Sequence, residues 1–514
     1  MTSVSTDTRA SQGMATRLLA IAIPCWFIFA YVHLYFFGYA AMDSWCYAGP
    51  AATARVPFAI TTPFLGSFEG ADKAWGLHWP GGPLLTSIIT PFLPHNPATY
   101  VAIYLCYWLM LALAVAALVR RLTSSQWLAL CAFLFVASDR ISFGVTWLER
   151  YELLGSAIAI TAVLALCGRQ DRHASVRSAI IGIAFFVFPL LHPVFSGLGL
   201  AWLAYLGFRT FALRLPWKHF CIAAAGYAAG WAAFLGYFWS RPWLYAEFIS
   251  HAHVNVELTR TTAPPGIRTF LRHLFLETDA PTREGVAIYL AALGGALFLL
   301  CLFWKSRREW REFLSREDLG IFAALGLLCT LFLAQFTYNG YYWATAWPFA
   351  VAVSCQVTHR LMQEFPGRRR IVAGALAALL FLHGGYFAGR TYLWHKTGFV
   401  NLRVHLREFA SSLPQTGQLF VPEVLWDTYA GGNRKVFMDT LPYLAGDPAE
   451  KRYASYIASL MRSGDVLVID LLQSHIPLID PHGPGWKEIG HCNVVYKGES
   501  NKVRGYELTA YQKQ

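Results

Sequence analysis

Runs of about 20 apolar residues recur along the first three-quarters of the chain, separated by short polar connections. A run of that length crosses a hydrocarbon core of ~30 Å as a helix. The pattern predicts eleven spans, at 18–41, 98–119, 126–138, 152–168, 178–191, 194–208, 219–239, 286–304, 319–337, 342–358 and 371–389. This is the pattern of a polytopic α-helical membrane protein. The first run, from Leu18 to Ala41, exceeds the ~7–15 apolar residues of a signal peptide and reads as an uncleaved helix.

The pattern changes near Thr391, where charges become frequent and apolar runs shrink. Val404 to Ser411 and Ala449 to Ser463 read as helices, and 418–421, 435–438 and 465–469 as short buried strands. Residues 493–496 and 506–509 alternate as a terminal hairpin does. Strands interleaved with helices predict a small α/β domain. The expected organisation is a transmembrane domain over 1–390, with external loops at 42–97, 139–151 and 240–285, followed by an α/β domain over 391–514.

Composition agrees with the membrane reading: 56% of the residues are hydrophobic and only 14% charged, against ~25% charged in soluble domains. The net charge of +12 reflects arginine and lysine gathered in alternate connections, such as Arg120 and Arg121, Arg209 and Arg214, and Arg368 to Arg370. That is the positive-inside signature rather than a nucleic-acid surface, so no nucleic acid is expected as a partner. It places the N-terminus in the cytoplasm and, with an odd number of spans, the C-terminal domain outside. Eight of the 10 cysteines lie in apolar runs and no CxxC occurs, so redox and zinc motifs are absent.

The outer side then carries the candidate chemistry. Asp43 follows the first apolar run directly and opens a long loop that contains Lys73 and the segment His78-Trp79-Pro80-Gly81-Gly82-Pro83. A carboxylate only partly solvated there can take a proton from an attacking hydroxyl. Asp139, Arg150 and Glu152 surround the mouth of the fourth span. Ionisable groups at that depth face a bundle interior or a water-filled cavity; the alternative is a local Glu–Arg pair that anchors the helix end. The loop 240–285 adds Arg260 and Arg268 to an outer basic surface suited to a phosphate headgroup. His251 and His253 have no third partner in sequence, so a zinc site is not expected.

Several motifs are missing: no P-loop, no GxGxxG after a strand, no GxSxG and no HExxH. The cytoplasmic connections are too short for a nucleotide-binding domain. An activated group must therefore arrive within the membrane or at its outer face, and a lipid-linked donor meets that requirement. A phosphate leaving group needs no strong acid; it needs a base for the acceptor and cations for the phosphate.

In layout the chain resembles the GT-C superfamily, membrane glycosyltransferases that use polyprenyl-phosphate-linked sugars and include the protein O-mannosyltransferases and lipid A aminoarabinose transferase. The likeness rests on Asp43 at the end of the first span, on His78-Trp79-Pro80-Gly81-Gly82-Pro83-Leu84-Leu85 re-entering the membrane, and on Arg150-Tyr151-Glu152 heading the fourth span. Where many relatives carry two adjacent acids, Ser44 follows Asp43, so a divalent metal is not required and no cofactor is expected. The resemblance implies an inverting glycosyltransferase of a bacterial inner membrane. Asp43 would be its base, Glu152 and Asp139 assisting groups, and His78, Arg150, Lys73, Arg260 and Arg268 substrate contacts. Expected partners are a polyprenyl-phosphate-sugar donor, a lipid, glycan or protein acceptor, and membrane lipids. The competing reading is a transporter or flippase for a lipid-linked saccharide.

Overall fold

A computed structural model of the protein describes residues 6–37, 49–68 (except 53, 55 and 62), 79–147, 150–167, 174–239, 290–304 (except 292, 298, 299 and 302), 309–334, 343–396, 402–429, 434–439, 448–471, 479–497 (except 482) and 503–514. Helices dominate. In order they are α1 Thr6–Phe37, α2 Gly81–Thr86, α3 Pro97–Thr123, α4 Gln126–Ala137, α5 Arg140–Trp147, α6 Glu152–Leu166, α7 Ala174–Leu191, α8 Pro193–Ala212, α9 Lys218–Trp239, α10 Trp310–Ala334, α11 Trp343–Glu364, α12 Arg369–Lys396, α13 Leu402–Ser412 and α14 Pro448–Leu460.

Local chemistry sets the boundaries. Asn96 accepts the Thr99 amide at 2.9 Å and Pro97 follows it, a capped helix start with proline where no donor is needed. The same helix ends at Ser124, in the left-handed region at φ 56°, after Arg120 and Arg121 in its last turn. Ser125 then caps α4 by accepting the Leu128 amide at 3.3 Å. Two consecutive serines therefore turn one apolar stretch into an antiparallel pair, tied further by Trp108 Nε1 donating to the Val136 carbonyl at 2.8 Å.

Six of the described helices, α1, α3, α7, α8, α9 and α12, are long and apolar enough to cross a membrane. The shorter apolar helices α4 and α6 have 12 and 15 residues. The expected count of eleven is thus not reached by length and apolarity among the described residues. One reason is visible in α10, which begins well before the apolar run and carries Glu312, Arg316, Glu317 and Asp318 within the helix. One core joins α3, α4, α6, α7, α8, α10 and α11.

The C-terminal part carries a five-stranded sheet of β1 Leu419–Val421, β2 Val436–Met438, β3 Val466–Asp470, β4 Trp486–Lys497 and β5 Val503–Lys513, in the order β2-β1-β3-β5-β4. The first three strands pair in parallel, which needs the crossover helix α14 between β2 and β3. The hairpin expected at 493–496 and 506–509 is present but longer, and β5 inserts antiparallel beside β3, with Val468 opposite Ala510. The sheet unit rests on one end of the helical bundle. There the Trp426 ring lies 5.8 Å from Tyr100 at the start of α3 and 6.1 Å from Phe64 of the first loop.

Candidate active site

That sheet-bearing end is where α3, α6 and α8 begin, and it gathers the described candidate residues. Arg150 and Glu152 are 2% and 5% exposed, so the pair is a buried one. Arg150 Nε donates to Glu152 Oε1 at 2.9 Å and Nη2 reaches the same oxygen at 2.8 Å. Glu152 Oε2 is buried and has no hydrogen-bond partner among the described residues. One helical turn further on, on the same face, the fully buried Ser156 hydroxyl also lacks one. A buried carboxylate oxygen beside a buried hydroxyl presents one acceptor and one group that either donates or accepts. A helical serine ordinarily donates back to the carbonyl four residues earlier, which Ser156 does not do. The arginine explains why the acid tolerates burial: it neutralises the charge that desolvation penalises. The first turn of α6 adds the favourable pole of the helix dipole.

His192 lies beside this pair, in the turn between α7 and α8. Its Nδ1 accepts the Val194 amide at 3.3 Å, capping α8. Burial first, and the Arg150 charge second, lower its pKa to about 3. The ring is therefore neutral, and acceptance at Nδ1 puts its proton on Nε2.

The segment that follows Trp79 is pressed into the same corner. A Cβ on Gly81 would come within 2.6 Å of the Leu190 backbone, and one on Gly82 within 2.0 Å of the Tyr151 ring. Only glycines let α2 approach both the end of α7 and the residue before Glu152. Trp79 stacks on Phe234 of α9 at 4.6 Å, and Thr86 bonds the Tyr107 hydroxyl at 2.8 Å. The aromatic wall continues through Tyr104, whose ring is 6.0 Å from Tyr151.

Asp139 has a structural duty. It is fully buried, and its Oδ2 accepts both the amide and the hydroxyl of Ser142 at 2.8 Å, which caps α5. Asp43, Lys73, His78, Arg260 and Arg268 lie outside the described residues. Among the described residues no three His, Cys, Asp or Glu side chains converge on a point fit for a metal ion. The structure adds Ser156 to the sequence candidates and shows what His192 and the Gly81-Gly82 part of the first-loop segment touch. The Gly-Gly pair next to a proline was a visible signal for close approach, whereas nothing around Ser156 distinguishes it from other small residues in an apolar helix.

No protein family's sequence profile matches the chain, and no curated protein matches it significantly by sequence. Solved structures do match. The likeness is one of fold. In particular, the chain is similar to ArnT from Cupriavidus metallidurans bound to undecaprenyl phosphate, with a TM-score of 0.53 and 11% identity over 89% of this chain and 93% of that one. A weaker likeness, with a TM-score of 0.46 and 12% identity over 94% of this chain and 74% of the other, is to the archaeal oligosaccharyltransferase AglB from Archaeoglobus fulgidus, in complex with an inhibitory peptide and a dolichol-phosphate.

Proposed function

We propose that this protein is a membrane glycosyltransferase that moves a sugar from a polyprenyl-phosphate-linked donor to a lipid, glycan or protein acceptor at the outer face of a bacterial inner membrane. The observation that carries the reading is the buried, arginine-held Glu152, with one oxygen unanswered, at the sheet-bearing end of the bundle. A purely structural ion pair gains nothing from leaving a carboxylate oxygen without a donor; a sugar or acceptor hydroxyl supplies that donor. The shared fold with ArnT, itself bound to undecaprenyl phosphate, supports the lipid-linked donor.

In this mechanism Asp43 removes the proton of the acceptor hydroxyl as its oxygen forms a bond to the anomeric carbon. The bond from that carbon to the phosphate oxygen breaks, and polyprenyl phosphate leaves with the electron pair. Attack opposite the leaving group inverts the anomeric centre. Arg260, Arg268 and Lys73 hold the phosphate. Arg150 commits two nitrogens to Glu152, so its part is to fix Glu152 as an acceptor for a substrate hydroxyl. His78 lines the site, and Asp139 supports it by fixing the start of α5.

The test is transfer of labelled sugar from a polyprenyl-phosphate donor by the purified full-length protein. Asp43→Asn is expected to lower turnover by about 100-fold or more, the scale of a lost general base, at normal protein level. Unchanged turnover would remove Asp43 from the mechanism. Movement of the intact lipid-linked saccharide across vesicles, without a transferred product, would overturn the transferase reading altogether.

A further inference from the structure

The first external loop and the C-terminal unit meet at a point 389 residues apart in sequence. The Ser67 amide donates to the Tyr456 hydroxyl at 2.9 Å, and Ser67 Oγ lies 3.1 Å from the same oxygen. The tyrosine oxygen accepts the amide and exchanges a second hydrogen bond with the serine hydroxyl, in which either oxygen can donate. Aromatic packing surrounds the bond. Phe68 lies 5.0 Å from Tyr453 and 5.6 Å from Tyr456. Tyr453 is anchored in turn by donating to the Met438 carbonyl at 2.8 Å. Gly66 adopts φ +59°, and a Cβ there would meet the Tyr456 hydroxyl at 2.6 Å and the Phe437 ring at 2.7 Å. A left-handed glycine without room for one more carbon shows that the loop is shaped to this surface of the sheet unit.

We propose that the C-terminal unit is a positioning element for the first external loop, and that Tyr456 is its positioning residue. The catalytic consequence rests on the glycosyltransferase reading. Residues 63–68 stand in sequence between Asp43 and His78, so their attachment to the C-terminal unit, beside the anchorage of Ala51 and Phe58 to Thr90 and Ser87, fixes a further point of the loop that carries both candidates. The unit therefore acts through the loop on the site, which is more than covering it.

Tyr456→Phe in the full-length protein keeps the ring and removes both hydrogen bonds. Amide exchange at 63–68 is expected to rise, and kcat for sugar transfer to fall about tenfold, the scale of two lost hydrogen bonds. The donor KM and the unfolding midpoint are expected to hold. Ser67→Ala, which keeps the amide bond, is expected to fall less, and Gly66→Ala, which displaces the loop from Phe437 and Tyr456, at least as far as Tyr456→Phe. Unchanged exchange, or increased exchange with unchanged kcat, overturns the proposal. If Tyr456 controls exchange at 63–68 but the wild type transfers no sugar, the clamp stands and the transferase reading falls.

Discussion

The helix α6 carries a buried acid–arginine arrangement at each end, and the two are built differently. At its head, Arg150 places two nitrogens on one oxygen of Glu152 and the other oxygen has no partner among the described residues. About 22 Å away, at 1.5 Å per residue, Cys167 follows its last turn and donates to Asp318 Oδ2 at 3.3 Å. Arg209 Nη2 reaches that same oxygen at 2.7 Å, and the Tyr205 hydroxyl donates to Asp318 Oδ1 at 3.2 Å. Both oxygens of Asp318, on α10, are answered by three side chains, Cys167 at the end of α6 and Tyr205 and Arg209 of α8. Beside it, Glu317 pairs with Arg360 of α11. This second arrangement ties four helices together at the end where the arginines gather. At Asp318 both acid oxygens serve packing, whereas Glu152 keeps one acceptor oxygen unused among the described residues. The comparison teaches that two buried, arginine-paired acids on one helix bundle can differ in how many of their oxygens are answered, which burial and pairing alone do not reveal.

The comparison is broken most severely at the closed end. Arg209→Ala leaves Asp318 buried without its cation, and about 3 kcal/mol of stability is expected to go with it. Thermal unfolding in detergent reads this, and turnover per folded molecule should hold. A loss of turnover with intact stability would instead make the Asp318 network part of the site. At the open end the outcome differs. Glu152→Gln keeps the shape and one acceptor oxygen but removes the charge that Arg150 answers. Turnover per folded molecule is expected to fall about 100-fold, and the midpoint falls as well, because the buried Arg150 keeps a hydrogen-bond acceptor but loses its counter-charge. A large fall in stability with unchanged turnover per folded molecule would make Glu152 a helix anchor and nothing more.

Much of this contrast was legible in sequence at one end only. Arg150 and Glu152 are two residues apart at the start of an apolar run, so their proximity follows from local structure. Arg209 and Asp318 are brought together by tertiary packing of α8 on α10, and no periodicity announces a partner so distant. The same distinction holds for the fold. The strands at 419–421, 436–438 and 466–470 stood out, within a residue at each end, as short apolar runs between helices. The insertion of β5 between β3 and β4 did not, because pairing order depends on contacts between distant segments. Ser67 and Tyr456 belong to that second class. Gly81 and Gly82 fall between: the motif was visible, but its purpose, close approach to Leu190 and Tyr151, needed the third dimension. The bounds of the expected span at 319–337 differ from those of α10 where polarity enters the helix, at Glu317 and Asp318, since a window of apolar residues ends at the first charge.

The finest test of the open end is its histidine. His192 has a folded pKa of about 3 against an ordinary value of 6.5, lowered by burial and then by Arg150. Between those values the unfolded chain binds a proton that the folded protein refuses. Stability contributed by the neutral ring is therefore complete above pH 6.5 and is lost as pH falls from there towards 3. The limiting slope for one proton is about 1.4 kcal/mol per pH unit. Protonation also fills Nδ1, the atom that accepts the Val194 amide, so the cap of α8 goes with the charge. His192→Asn keeps a side-chain acceptor at the cap and removes the titration. Its stability is expected to decline less steeply than the wild type's between pH 6.5 and about pH 5, with the two curves converging in slope above neutrality. Parallel curves over the acid range would show that His192 takes its proton freely in the folded state. The Arg150 charge would then be screened from it, and the corner formed by Arg150, Glu152 and His192 would be open to water even without a ligand.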